Sequence, residues 1–520
     1  MSGKDQINSL PIPCCGRFGF DHEKYIEEQS SFIVERVQTA DRIYLEVGGK
    51  IEADNHASRI FPGFRPNGKI CLFGELAKKV SVEAIVCIHA DIIGKNKIRS
   101  DQGITYEESV IKLIDTFRSY GIEVAGVMVT RSHVLTPGLE LFVNTCKRHN
   151  VSVFFGGSIP GYPHDLEVAV SEQGLGSIPY IPVKGKVVIV SAPGAGSGKL
   201  ATCISQIYHE STMNLKPTYS KWESFPVWNL PLDDPVNIAY EAASCDLETP
   251  DYNVIDPYHL EAYGEKCVNY NRDVDAYPVV KHLLEAICGE SPFKSPTDMG
   301  VNCLGFAIVD RELVNKACIR EIFRRAWTYK VASILTPGLE KAIEVSSKLA
   351  SQWNEDDYRP VVSSANNRLT RLQQTRNGTS DPCVSVAIEL HDGTVITGVN
   401  SELLHATAAC LLNSLKHLAG IADERKILVP AVIEAVTSLK KDVFCKNSPS
   451  LTAEEALMAL SFASITSSEA ADCLSMAKKL RGCDFHSTHI PSPGDINALR
   501  RLGILSTSSP EFINASGYIL

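Results

Sequence analysis

Between residues 42 and 215 two apolar patterns alternate along the chain. Runs at 42–47, 84–89, 124–129, 151–155 and 187–190 are short, aliphatic and rich in β-branched residues, which reads as strands. The stretches at 106–120 and 138–149 read as helices, and a third helical stripe falls on positions 200, 203, 204, 207 and 208. This alternation predicts an α/β domain over 20–225, with a mostly parallel, Rossmann-like or P-loop-like sheet carrying helices on its faces. In such sheets ligands sit beyond the carboxyl ends of the strands.

The pattern changes further on. Residues 216–310 are irregular and polar, and 226–310 are expected to complete the core as an active-site-like segment. Residues 311–360 read as a helical connector. The span 361–381, with Ser363-Ser364-Ala365-Asn366-Asn367 and Asn377-Gly378-Thr379-Ser380, reads as a polar linker. A second α/β domain is expected over 382–520: a strand to Leu390, the Asp392-Gly393 turn, a strand to Gly398 and an apolar helix over 403–418. Helices near 430–441, 452–467 and 468–479 follow. Residues 1–19 hold Pro11, Pro13 and Cys14-Cys15 without an apolar core, and read as a flexible arm. The fold class is therefore multi-domain α/β.

One loop carries the clearest chemistry. Ser191-Ala192-Pro193-Gly194-Ala195-Gly196-Ser197-Gly198-Lys199-Leu200 joins a β-branched run to a helical stripe. Backbone N–H groups of such a loop and of the helix start converge on one spot and favour an anion. Lys199 adds a point charge, so Gly194, Gly196, Ser197, Gly198, Lys199 and Thr202 are candidate phosphate-binding residues. Two positions depart from the standard phosphate loop: Pro193 replaces its first Gly, and Leu200 replaces the hydroxyl residue that holds magnesium. Ser197 or Thr202 would have to substitute. Anion binding is expected ahead of triphosphate hydrolysis, and a Gly-rich turn that only lets a helix pack closely is the bland alternative.

Other clusters also follow strands. Glu46-Val47-Gly48-Gly49-Lys50 precedes Asp54, His56 and Arg59, and places Lys50 as a further anion ligand. Asp91, Lys95, Lys97, Arg99 and Asp101 follow the second run, where Lys97 and Arg99 would neutralise ligand charge. In the middle segment His259 is a candidate general acid or base, with Glu261, Asp256 or Asp298 as its partner. Arg272 is a candidate oxyanion clamp. Turn caps and Asx turns account for the same residues without catalysis. His259-Leu260-Glu261 fills only half of a zinc deaminase signature, and Cys483 with His486 lacks a second pair, so no metal site is expected.

Composition narrows the classes. A chain of 520 residues suits two to four domains, and 44% hydrophobic with 22% charged residues is the balance of a soluble globular protein. A net charge of −10 gives no general attraction to nucleic acid, and no apolar stretch has bilayer length. The 16 cysteines are not densely spaced and no secretion signal is visible, which points to reduced thiols in the cytoplasm.

Together these segments resemble uncharacterized protein family 0371, also known as domain of unknown function 1846, a largely bacterial family. The resemblance runs from Gly19-Phe20-Asp21 to about Gly503. It is carried by Tyr44-Leu45-Glu46, Gly48-Gly49-Lys50, His56-Ala57-Ser58-Arg59, Lys95-Asn96-Lys97-Ile98-Arg99 and Asp101-Gln102-Gly103-Ile104-Thr105-Tyr106. Ala192-Pro193-Gly194, Gly196 to Thr202, Trp228-Asn229-Leu230-Pro231, His259 to Gly264, Asn269 to Asp273, Ser295 to Gly300, Gly482-Cys483 and His486-Ser487-Thr488 complete it. It implies a multi-domain α/β fold and a cytosolic protein, and brings no activity with it. The C-terminal unit is also similar to the cytidine-deaminase type of layout, as architecture only.

The sequence therefore leads to an enzyme that binds a nucleotide or another small phosphorylated molecule, with magnesium entering alongside a nucleotide. Lys199 and the loop amides would hold the phosphate, and His259, Glu261, Asp298 and Arg272 would carry the chemistry. A non-enzymatic ligand-binding or assembly protein is the alternative. A homo-oligomer is expected on base rates.

Overall fold

Six strands form one parallel sheet: β1 (Arg42–Val47), β2 (Val82–His89), β3 (Glu123–Thr130), β4 (Val153–Phe155), β5 (Val187–Ser191) and β6 (Pro217–Trp222). Their order across the sheet is β4-β3-β2-β5-β1-β6. The computed structural model describes residues 10–99, 103–132, 134, 136–247, 251–376, 382–445 and 448–513. Successive residues of a strand face opposite ways, and both faces of this sheet are apolar. Ile43, Leu45, Val86, Ile88, Val127, Val129 and Ile189 pack against the helices His22–Val37, Gly68–Lys79, Tyr106–Ser119 and Pro137–Arg148. Tyr44, Ile85, Cys87, Met128, Val188 and Val190 face the helices Lys199–Thr212 and Asn271–Cys288. Continuous apolar runs in the sequence are the direct result of this double cover.

The chain path fixes where a ligand fits. From β2 it moves to β3 and β4 toward one edge; from β5 it moves to β6 at the other. The reversal falls between the neighbours β2 and β5, and the loops leaving their carboxyl ends diverge there. Such a crevice is where open α/β sheets take ligands.

The second sheet is mixed, in the order β10-β9-β11-β12, built from β9 (Ser385–Glu389), β10 (Val395–Val399), β11 (Asp484–Ser487) and β12 (Leu505–Ser508). β9 runs antiparallel to both neighbours, and β11 and β12 are parallel. A two-stranded ribbon, β7 (Asn253–Ile255) with β8 (Val268–Tyr270), lies in the middle segment.

Several expectations change here. The span read as a polar linker contains the helix Val361–Thr375, whose Val361, Val362, Ala365 and Leu372 are buried. Its Ser and Asn residues lie between those apolar positions, and packing on Ala387 of β9 rewards the narrow apolar stripe. Residues 377–381 lie outside the described residues, as do 1–9, Asp101 and Gln102. The described part of the N-terminal arm is docked: Arg481 donates to the Leu10 carbonyl, the Gly16 amide to His391, and Gly19 to Pro62. The segment read as irregular also holds β6 and two regular helices, Pro235–Ser244 and Asn271–Cys288. β6 is an edge strand whose Ser220 and Lys221 hide its period, although Tyr219 and Trp222 are buried.

Candidate functional site at the carboxyl edge

β5 ends at Ser191, which is fully buried, and its Oγ has no hydrogen-bond partner among the described residues. The chain then turns through Gly196 (φ +68°) and Gly198 (φ +78°) into the helix that starts at Lys199. Both are left-handed positions that suit glycine. Gly198 is the helix N-cap and supplies no side chain, so nothing of its own covers the first amides of a 14-residue helix. A Cβ on Gly198 would lie 2.7 Å from the Thr130 methyl, because the loop rests on the end of β3. Thr130 Oγ1 donates to the Ser197 carbonyl at 3.0 Å.

The loop hydroxyls shape the loop. Ser197 Oγ donates to the Gly194 carbonyl at 2.8 Å, and Thr202 Oγ1 to the Gly198 carbonyl at 3.0 Å. Lys199 is half-buried and pairs with no carboxylate among the described residues. Its charge reaches Cys87: burial pushes that thiol up to about 12, against the Thr202 hydroxyl and Lys199.

Three more cations surround the loop. Gly194 packs on the Tyr106 ring, and the exposed Lys97 ammonium lies 5.8 Å from that ring's centroid. Arg99 is buried and donates to Ser109 Oγ at 2.6 Å. Lys50 and Arg99, with Glu52, Ser109, Ser191 and Pro193, line a narrow cleft of about 20 Å³. Lys112 and Thr116 hold Glu52, at 3.1 and 2.6 Å. Arg131, just past β3, is a fourth cation and is exposed; it has φ +51° and no ion pair among the described residues.

A carboxylate-rich half adjoins along β1 and β6. Glu46 accepts from Tyr219 Oη at 2.8 Å. Lys221 Nζ lies 2.6 Å from Asp273 and 3.4 Å from Glu223. Burial opposes its charge, but Asp273, Glu223 and Glu46 outweigh that and hold the ammonium above its ordinary value. Arg272, the expected oxyanion clamp, is committed to Asp251 at 3.4 Å and lies near Asp273.

The expected proton-transfer residues separate. His259 is buried with Nδ1 2.9 Å from Ser295 Oγ and 3.6 Å from Asp298 Oδ1. Both partners meet the same ring nitrogen, unlike a relay in which base and orienter use opposite ones. Asp298 and Ser295 form the capping box of the turn Pro296–Met299. Asp256 caps the helix Pro257–Tyr263 and accepts from the Thr297 amide and hydroxyl. Glu261 is exposed and lines a separate open hollow of about 540 Å³ with Tyr258, Tyr277, Lys281 and Glu285.

No group of three metal-ligating side chains occurs among the described residues. Cys483 Sγ lies 3.9 Å from His391 Nε2, while the His486 ring is held by Thr507, Ser509 and Trp327. Sequence reasoning passed over Ser191, Thr130, Tyr106 and Arg131. Three of them share the signal of position, since Ser191, Thr130 and Arg131 end or follow apolar strands, while Tyr106 starts a helix.

Fold and site thus define a mixed α/β protein with a cation-lined cleft at the carboxyl edge of its parallel sheet. The chain belongs to the DUF1846 family: the model of domain of unknown function DUF1846, N-terminal, matches residues 18–353, and that of the C-terminal domain matches residues 357–518. A UPF0371 protein of Clostridium botulinum (strain Kyoto / Type A2) is 45% identical over 506 residues, covering 96% of this chain and 99% of that protein. Another, of Clostridioides difficile (strain 630), is 43% identical over 507 residues with the same coverage. No helix is long and apolar enough to cross a membrane among the described residues.

Proposed function

We propose that this protein is a cytoplasmic enzyme that binds a nucleotide or another small phosphorylated molecule at the crevice between β2 and β5. The observation that carries this reading is the buried Ser191 Oγ in a cation-lined cleft, next to an uncapped helix start and Lys199, with neither side chain paired among the described residues. A phosphate there would take hydrogen bonds from the loop amides around Gly194, Gly196 and Gly198, and charge from Lys199. Lys50, Lys97 and Arg99 would neutralise the rest of the ligand. The strand order supports a Rossmann-like reading of the first sheet, and β10-β9-β11-β12 supports a deaminase-like layout for the second, as architecture alone. All 16 cysteines are free thiols, in keeping with the cytoplasm.

With Leu200 at the hydroxyl position, and with Ser197 and Thr202 donating to carbonyls, magnesium would enter on the phosphates of a nucleotide. Thermal melting against nucleotides, sugar phosphates and pyrophosphate, with and without magnesium, tests the reading. A ligand at 100 times its Kd adds about 2.7 kcal/mol of stability. A shift in the wild type that Lys199→Ala loses, while the unliganded melting point stays put, is the expected result. A panel with no shift rules the reading out.

A further inference from the structure

The helix Pro430–Ser438 is apolar along most of its length, through Ala431, Val432, Ile433, Ala435 and Val436, yet none of its residues is fully buried. One side, with Val432, Ile433 and Val436, rests on the core of the second domain. The chain continues through a wide helical turn, Leu439–Val443, whose Leu439 and Val443 are exposed, as is Phe444 beyond it. The helix Ala453–Ala463 lies alongside. Lys440 fastens the two together: its buried ammonium donates to the Ser450 carbonyl and pairs with Glu455 at 2.7 Å. Ala456, Ala459, Leu460 and Ala463 face the core, so Met458, Phe462 and Ile465 stand outward on the opposite side.

Leu439, Val443, Phe444, Met458, Phe462 and Ile465 thus form an apolar face that nothing covers among the described residues. Their exposures run from 46% at Leu439 to 79% at Ile465. At those exposures the six present roughly 650 Å² of surface, above the ~300–600 Å² of the largest apolar patch on a typical monomer. A standard interface takes about 800 Å² from each partner, as an apolar centre with a polar rim. The six side chains make such a centre, with no charge among them. At the rim, Glu434, Lys441 and Asp442 are exposed and have no ion pair among the described residues, and Arg501 pairs with Glu454 at 2.9 Å.

We propose that this face packs against the same face of a second copy of the chain, forming a two-fold dimer. An isologous interface brings a patch onto itself, so the patch must be self-complementary. Apolar rows satisfy that condition. The rim satisfies it too, because Lys441 of one copy can meet Glu434 or Asp442 of the other. A rim of one sign would instead fit a partner of opposite charge. With a net charge of −10 on each copy, long-range repulsion opposes pairing, and the apolar area has to drive it. Salt screens that repulsion, so the dimer persists at high ionic strength.

Sedimentation of the full chain at about 10 μM tests this, since interfaces of this size assemble at micromolar concentration or below. Two chains per particle are expected, in low and in high salt. Phe462→Glu alters a side chain already 63% exposed, so it should keep the wild-type circular dichroism while raising the dissociation constant at least about tenfold. Leu141→Glu, at an exposed position of the first domain, should leave pairing intact. The exposed Cys445, next to Phe444, should be alkylated more slowly in the wild type than in Phe462→Glu. A wild-type particle of one chain would overturn the proposal, and pairing that then appears on removal of residues 514–520 would make the chain's own end the occupant. A dimer that Phe462→Glu leaves at full strength would overturn it equally.

Discussion

Asp256 is fully buried, and one carboxylate serves two neighbouring elements. Oδ1 accepts from the Tyr258 and His259 amides, and Oδ2 from the Thr297 amide and hydroxyl. Asp256→Ala removes the cap and strands those donors, so unfolding in denaturant should show a loss of about 2–4 kcal/mol. His486 is a second residue with a readable consequence. Burial, with Arg359 adding and Asp484 opposing, brings its ring from 6.5 down to about 3. Below pH 6.5 the unfolded chain takes up a proton there that the folded ring refuses. The stability tied to a neutral His486 is therefore present above about pH 6.5 and drains away as the pH falls toward 3. Each pH unit in that window costs up to about 1.4 kcal/mol from this ring. His486→Gln should flatten the fall, read as denaturation midpoints at pH 7 and pH 5.

Two glycines of one loop separate backbone strain from steric packing. Gly196 and Gly198 are both left-handed, but a Cβ on Gly196 meets open space while one on Gly198 meets Thr130. Gly196→Ala should cost about 1–2 kcal/mol, the ordinary penalty for a side chain in that region. Gly198→Ala should cost more, because the loop must also lift from β3. That shift moves the Lys199 helix start, so phosphate binding should weaken further in Gly198→Ala than in Gly196→Ala, measured by calorimetry. The helix Val361–Thr375 teaches the converse: its stripe of Val361, Ala365 and Leu372 was present in the sequence, yet Ser and Asn doublets masked it.

At the scale of the whole molecule, buried charge joins the domains. The helix Arg311–Leu335 sends Arg320 to both carboxylate oxygens of Glu389 at 2.8 Å, and Arg324 to Glu321 at 2.8 Å and Asp484 at 3.3 Å. Arg359, fully buried, completes the group on Asp484 at 2.7 Å. Burial works against the Asp484 charge, but Arg359, Arg324 and Arg320 hold its carboxyl below the usual range. Removing one member leaves the others buried and uncompensated, which costs about 3–5 kcal/mol. Arg324→Leu should destabilise by that amount and, because Arg324 reaches across to β11, should split one calorimetric transition into two.

Strands β1 to β5 of the first sheet, the Gly-rich turn after β5 and the Asp-Gly hairpin were legible in the sequence, because each is set by local period or by residues suited to left-handed backbone. So was family membership, since long motifs survive along the chain. Tertiary structure alone decided the rest. It set the β2–β5 crevice, because strand order depends on which crossover goes left or right and not on any run of residues. It also spread His259, Glu261 and Arg272 over three environments, although they lie within 14 positions, since a helix face and a strand end can point apart over a few residues. Tertiary structure joined Ser191 to Lys50 and Arg99 as well. Sequence period records which side of an element is buried; only packing between distant elements determines what a side chain finds there.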